Sequence, residues 1–172
     1  MSPRAAWRLE TLGFGQVYDY IDGKADWLAA GLPTEGTNAE RPSAGDVARS
    51  DVPTCAVDER VDEVRERVTA AGWDACVVVN EERIVFGLLR ERELTRGDAT
   101  DGPVERSMLA GPSTFRPNVP IDEMAAFMSE HDLASSPITT SDGRLVGLLL
   151  RDDAVRAAME LHRHHDDEKA GS

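Results

Sequence analysis

The sequence predicts an α/β (α+β) fold built from two βαββα repeats, and three observations carry that prediction. Residues 61–93 and 121–153 superpose without a gap at an offset of 60 residues, sharing Asp-Glu near their starts (Asp62-Glu63 and Asp122-Glu123) and Gly-Leu-Leu at 87–89 and 147–149. Each copy opens with apolar residues at helical spacing and continues with two short β-branched runs separated by a turn. The chain of 172 residues is 41% apolar, enough to bury a core.

The elements follow in chain order. Residues 1–36 read as a helix, a strand and a second helix. The stretch TEGTNAERPS, 34–43, has linker composition, and the linker proper is placed at 37–45. Repeat 1 spans 46–100. Val61, Val64, Val68 and Ala71 form the buried stripe of its helix, leaving Glu63, Arg65, Glu66 and Arg67 for water. Gly72 stops that helix, CVVV at 76–79 is a strand, NEER at 80–83 a turn, and IVFGLL at 84–89 the returning strand. Repeat 2 spans 101–160. Pro120 occupies the first turn of its helix, where a missing N–H is tolerated. Ile121, Met124, Ala125 and Met128 line that helix, and Ser-Asp-Gly at 141–143 turns PITT into RLVGLLL. A last helix from about Asp152 turns Ala154, Val155, Ala158, Met159 and Leu161 inward and gives way to a polar tail at 161–172. The strands entering the two helices match at an offset of 59, Pro53-Thr54 against Pro112-Ser113, which implies one residue gained before the second helix.

Charge and composition exclude several functions. Nineteen Lys and Arg stand against 32 Asp and Glu, a formal charge of -13, which repels nucleic acid and anionic membrane surfaces. The longest apolar stretch, near Val146 to Leu150, falls far short of the ~20 residues that span a bilayer, and the N-terminus lacks the apolar core of a signal peptide. Two cysteines, Cys55 and Cys76, are too few for a disulfide framework and lack metal spacing, so a reduced, cytoplasmic protein is expected. His162, His164 and His165 beside Asp166 and Asp167 are metal-ligating types, but a fraying helix end explains them better and no metal is expected. The Arg-Gly-Asp at 96–98 reads as turn composition.

The repeat resembles the cystathionine β-synthase (CBS) domain, and the tandem resembles a Bateman module. The run LASSPITTSDGRLVGLLLRDDA carries the likeness: a small hydroxylated residue, proline, a β-branched strand, an Asp-Gly turn, an apolar strand with a central glycine, and a helix-opening aspartate. The resemblance implies two units packed sheet against sheet about a pseudo-twofold axis, a homodimer of modules, and clefts that sense adenosine-containing ligands such as AMP, ADP, ATP or S-adenosylmethionine. Residue by residue, it places Asp153 as the acceptor of the ribose hydroxyls, with Glu93 in the corresponding place of repeat 1. Leu150 and Arg90 stand where the family has a phosphate-binding Thr or Ser. It also brings Ser135, Ser136, Pro137, Thr54, Thr114 and Arg151 to the candidate ligand-binding set. Asp153 also reads as a carboxylate set against a helix dipole, and Arg90, Arg92 and Arg151 as solvated charges.

The fragment 2–33 resembles the last helix, strand and helix of a rhodanese domain, with Gly13-Phe14, Trp27 and a closing Gly-Leu-Pro. The rhodanese nucleophile is a cysteine in the loop before that helix, held by amides that lower its pKa. The chain carries neither, so no catalytic residue is expected. Trp7, Phe14, Tyr18, Tyr20, Trp27 and Leu28 are large apolar groups expected to dock on the module or a second subunit. The expected function is a non-catalytic regulatory module with a protein partner. The alternatives are a purely structural, dimerising module and, more remotely, a sulfurtransferase-related fragment.

Overall fold

The computed structural model describes residues 8–17, 27, 32, 41–95 and 102–170, with side chains described as far as 163. Among the described residues, six strands and four α-helices make up the repeats. Repeat 1 contains β1 (Thr54–Cys55), α2 (Val61–Ala70), β2 (Ala75–Val79), β3 (Val85–Arg90) and α3 (Glu91–Thr95). Repeat 2 contains β4 (Leu109–Ala110), α4 (Ile121–Glu130), β5 (Ser135–Thr139), β6 (Leu145–Leu150) and α5 (Arg151–Ala170). A short helix α1 (Ala44–Val47) precedes them.

The 60-residue offset governs the whole fold. β2 pairs antiparallel with β3 from Ala75–Arg90 to Val79–Val85, and β5 with β6 from Ser135–Leu150 to Thr139–Leu145, with the same irregularity before Val79 and before Thr139. The helices begin at Val61 and Ile121, with Val61, Val64 and Val68 buried in one and Ile121, Met124, Ala125 and Met128 in the other. Gly72 and Gly143 have φ of 73° and 87°, which glycine adopts without strain where α2 stops and the second hairpin turns.

The expected one-residue insertion is not there. Cys55 pairs with Val78 in parallel, and Phe115 pairs with Ile138 in the same way, so the entering strands also stand 60 residues apart. Ser113 therefore answers Pro53. The mismatched prolines misled the sequence alignment, because an entering strand of two residues carries too little pattern to fix its own register.

The equivalence also runs back through the expected linker. Ser43 donates its amide to Asp46 Oδ2 at 2.8 Å and opens α1, whose Ala44 is fully buried. Ala44 N–H donates to Val119 O at 2.8 Å, and Val104 N–H donates to Glu59 O at 2.9 Å in the matching place. These approach segments cross over. Residues 42–49 lie on repeat 2, where Arg49 and Leu148 exchange both backbone hydrogen bonds at 3.0 Å, whereas β4 pairs with Gly87 and Leu88 of repeat 1. Each repeat is thus completed by the chain that leads into the other.

Strand alternation sorts the core into layers. Cys76, Val78 and Leu89 face α2, and Ile138 and Leu149 face α4 and α5. Val52, Ala75, Val77, Val79 and Leu88 meet Leu145 and Leu148 in a third cluster between the two sheets. The hairpins are tied at their turns by Val85 N–H to Gly143 O at 3.1 Å and Leu145 N–H to Arg83 O at 2.8 Å, a reciprocal pair that makes the arrangement pseudo-twofold.

Two expectations change on the outer elements. Met159 is exposed, because α5 buries Ala154 and Ala158 on a narrower stripe. The helix also runs through to Ala170 where a tail was expected. In the N-terminal fragment, residues 8–11 are helical and turn at Gly13, but the expected strand and second helix lie largely outside the described residues. Leu12 and Phe14 are both exposed. Among the described residues, no helix is long and apolar enough to cross a membrane.

Candidate functional site

Asp153 is the third residue of α5, held there because β6 runs straight into the helix at Leu150–Arg151. Its side chain is 12% exposed, and its carboxylate is gripped from two sides. Arg49 donates Nε–H to Oδ2 at 2.7 Å, and Arg156 Nη1 lies 3.2 Å from Oδ1, one helical turn on. Arg49 reaches it because its backbone is pinned to Leu148, so a residue 104 positions away becomes the carboxylate's nearest partner. The hydrogen bond to Asp153 raises the Arg49 guanidinium above its ordinary pKa against an opposing cost of burial, and the Asp153 and Asp51 charges add to the rise.

The same guanidinium lies over an aromatic ring. Arg49 Cζ stands 5.7 Å from the ring centre of Trp73, a residue of repeat 1 packed against both the α2 cluster and the inter-sheet cluster. One planar cation therefore joins an acceptor of repeat 2 to an aromatic face of repeat 1. Arg49, Trp73 and Arg156 had no place in the sequence reading. Nothing local signals them, since Arg49 matches Leu109 and Trp73 matches Leu133 across the repeats.

Glu93, the counterpart of Asp153, is arranged differently. Its Oε2 accepts the Arg90 amide at 3.1 Å and its Oε1 accepts Arg92 Nε–H at 2.8 Å, so the extra methylene folds the carboxylate back onto its own turn. Burial pushes the Glu93 carboxyl up, but the Arg92 and Arg90 hydrogen bonds outweigh it and hold the group below the usual range. A lowered folded value means that the stabilisation is complete above the ordinary glutamate pKa of ~4.3 and is lost as pH falls through the lower folded value. In urea titrations from pH 6 downward, the stability gap between the wild type and Glu93→Gln should narrow on the acid side. A gap that widens there would show that the carboxylate is not held this way.

The other sequence candidates scatter. Leu150 packs against the inter-sheet cluster. Arg151 donates to Asp132 Oδ1 at 2.7 Å, which turns it toward the bend between α4 and β5. Arg90 Nε is buried without a hydrogen-bond partner. Ser135 and Ser136 are both buried but cannot line one cleft, because neighbours on a strand point to opposite faces. Ser136 pairs with Leu149 of the helix-facing layer, its Oγ–H donating to Ser113 O at 3.5 Å. Ser135 pairs with Leu150, whose side chain packs on the inter-sheet cluster, and Pro137, two residues on and on the same face of the strand, is buried opposite Leu148. Thr54 pairs with Val77 and Thr114 is exposed.

Neither cysteine is poised for chemistry. Cys55 and Cys76 are free and buried on β1 and β2, and the Cys55 thiol together with burial pushes the Cys76 thiol far above its ordinary value. Among the described residues no group of His, Cys, Asp or Glu is placed to hold a metal ion, and His162 Nδ1 lies 2.7 Å from Ala158 O.

The sequence model of the CBS domain matches residues 44–99 and 104–160, one match to each repeat. The chain belongs to the CBS domain family. The two matched ranges open at Ala44 and Val104, which are equivalent in the fold. This CBS pair is 27% identical over 120 residues to an uncharacterized protein of Methanopyrus kandleri, covering 66% of this chain and 61% of that relative's length. The structure of CBSX2, a CBS-pair protein of Arabidopsis thaliana, in complex with AMP superposes with a TM-score of 0.63 at 20% identity, over 70% of this chain and 98% of that one. The CBS domain pair of protein MJ0100, in complex with 5′-methylthioadenosine and S-adenosyl-L-methionine, superposes with a TM-score of 0.59 at 19% identity, over 67% and 94%.

Proposed function

We propose that this CBS pair is a non-catalytic regulatory module that senses an adenosine-containing ligand at the Asp153 site, works as a homodimer and passes the occupied state to a protein partner. One observation carries the reading: a mostly buried carboxylate at the first turn of α5 holds a cation from the segment before repeat 1, and that cation lies over an aromatic ring of repeat 1. A carboxylate has two acceptor oxygens for a ribose diol, an indole face can stack a purine, and arginines can meet phosphate. The two structural neighbours bound to adenosine compounds support this ligand class. Glu93, folded onto its own turn, leaves the Asp153 side as the main ligand site.

The reading extends to the rest of the chain. Two free, buried cysteines suit a reducing cytoplasm, and the N-terminal fragment serves as a non-catalytic rhodanese-like remnant whose exposed Leu12 and Phe14 are covered on association. A thermal-shift panel of AMP, ADP, ATP and S-adenosylmethionine tests the sensor directly. Ligand at 100 times its dissociation constant should stabilise the protein by ~2.7 kcal/mol, and Asp153→Ala should abolish the shift. No shift with any of the four would favour the second reading, a purely structural module. The observation on that side is that Asp153 is already paired with two arginines of its own chain.

A further inference from the structure

The Asp153 site contains more than an acceptor. Arg49 makes there the two contacts that a nucleoside would make: its flat guanidinium lies over the Trp73 ring, and an N–H donates to the Asp153 carboxylate. A purine covering the same indole face requires this side chain to move, and a ribose hydroxyl donating to Oδ2 competes with its N–H. The Arg49 side chain is 47% exposed, and its backbone hydrogen bonds with Leu148 do not depend on where it points, so it can swing without disturbing the sheet. Its displacement gives up the placement over the Trp73 ring and has a further unfavourable component. Asp153 regains neutral donors from the ligand and keeps Arg156, but Arg49 loses a charge-assisted hydrogen bond.

A 5′-phosphate lies only a few bonds from the ribose diol, within the sweep of the displaced guanidinium. Arginine binds phosphate oxygens in the bidentate geometry that it also uses for carboxylates. We propose that Arg49 occupies the nucleoside's place and yields it in exchange for a ligand anion, so that the site selects phosphorylated adenosine ligands over uncharged ones. The inference rests on the nucleotide reading of the Asp153 site and adds a residue that decides among its ligands. Arg49 is then an internal competitor toward adenosine and a phosphate partner toward AMP.

Isothermal titration calorimetry of the full chain with AMP and with adenosine separates these roles. The wild type should bind AMP at least about tenfold more tightly than adenosine, the scale of one charge-assisted hydrogen bond. In Arg49→Met, adenosine should tighten and AMP should weaken, so the ratio of the two dissociation constants falls toward one. Arg49→Lys, which keeps the charge but not the planar fork, should give an intermediate ratio and serves as a second measurement if the methionine variant folds poorly. A ratio that keeps its wild-type value in both variants overturns the inference, as does an equal gain or an equal loss for both ligands. Binding of neither ligand to the wild type overturns the inference, and overturns the nucleotide reading as well when the thermal-shift panel is also silent, whereas binding of both with an unaltered ratio removes only the role of Arg49.

Discussion

Leu148→Ala is expected to lower the unfolding free energy by about 2–5 kcal/mol, the range for truncating a fully buried leucine, and to do so in one cooperative transition. Leu148 is completely buried in the cluster between the sheets, where it meets Ala75, Val77 and Leu88 of repeat 1. A cavity there removes contacts from both repeats. The neighbouring strand offers little relief, since Arg49 and Leu148 are locked by two backbone hydrogen bonds. Leu88→Ala makes the matching change from the other side. Because both side chains line one cluster, the double variant should depart from additivity by more than about 0.5 kcal/mol. Urea unfolding followed by far-ultraviolet circular dichroism and by tryptophan fluorescence checks both points. Two separated transitions in Leu148→Ala would mean that the repeats fold independently and that the shared cluster does not unite them.

The features legible in the sequence were those with a local period. The valines of α2, the Ile-Met-Ala-Met stripe of α4 and the gapless offset of 60 fixed two helices, four strands and their equivalence, because helix and strand faces repeat every 3.6 and 2 residues. The crossing of the approach segments was not legible. Nothing in Ala44 to Arg49 announces that it pairs with Leu148 and not with its own repeat, and the linker boundary at residue 45 cuts α1 in two because four residues carry no periodicity. The site followed the same division. Asp153 could be found through the family resemblance carried by the run that contains it, whereas Arg49 and Trp73 became partners only through the crossover. Ser135 and Ser136 stood together in sequence and were separated by the pleat, a distinction that depends on register and not on composition.

Gly147→Ala tests that crossover directly and should be the more damaging of two matched substitutions. A Cβ at Gly147 would stand 2.8 Å from Arg49 O, 3.0 Å from Arg49 C and 3.2 Å from Ala48 Cβ. The two nearest of these are backbone atoms, tied to the next residue of the same strand by the Arg49–Leu148 hydrogen bonds, so the clash is relieved only by parting the strands. At Gly87 the matching Cβ would meet Met108 Sδ at 2.5 Å and Leu109 O at 3.2 Å. A thioether side chain has three rotatable bonds with which to withdraw, so Gly87→Ala should cost less. Overpacking of this kind typically costs about 1–3 kcal/mol; Gly147→Ala is expected at or above the top of that range and Gly87→Ala near the bottom. The first change also pushes Arg49 away from Asp153, so it should alter the AMP-to-adenosine preference, which Gly87→Ala should leave as it is. Equal costs in urea unfolding, or a larger one at Gly87, would show that the approach segment before repeat 1 does not lie against β6 as described.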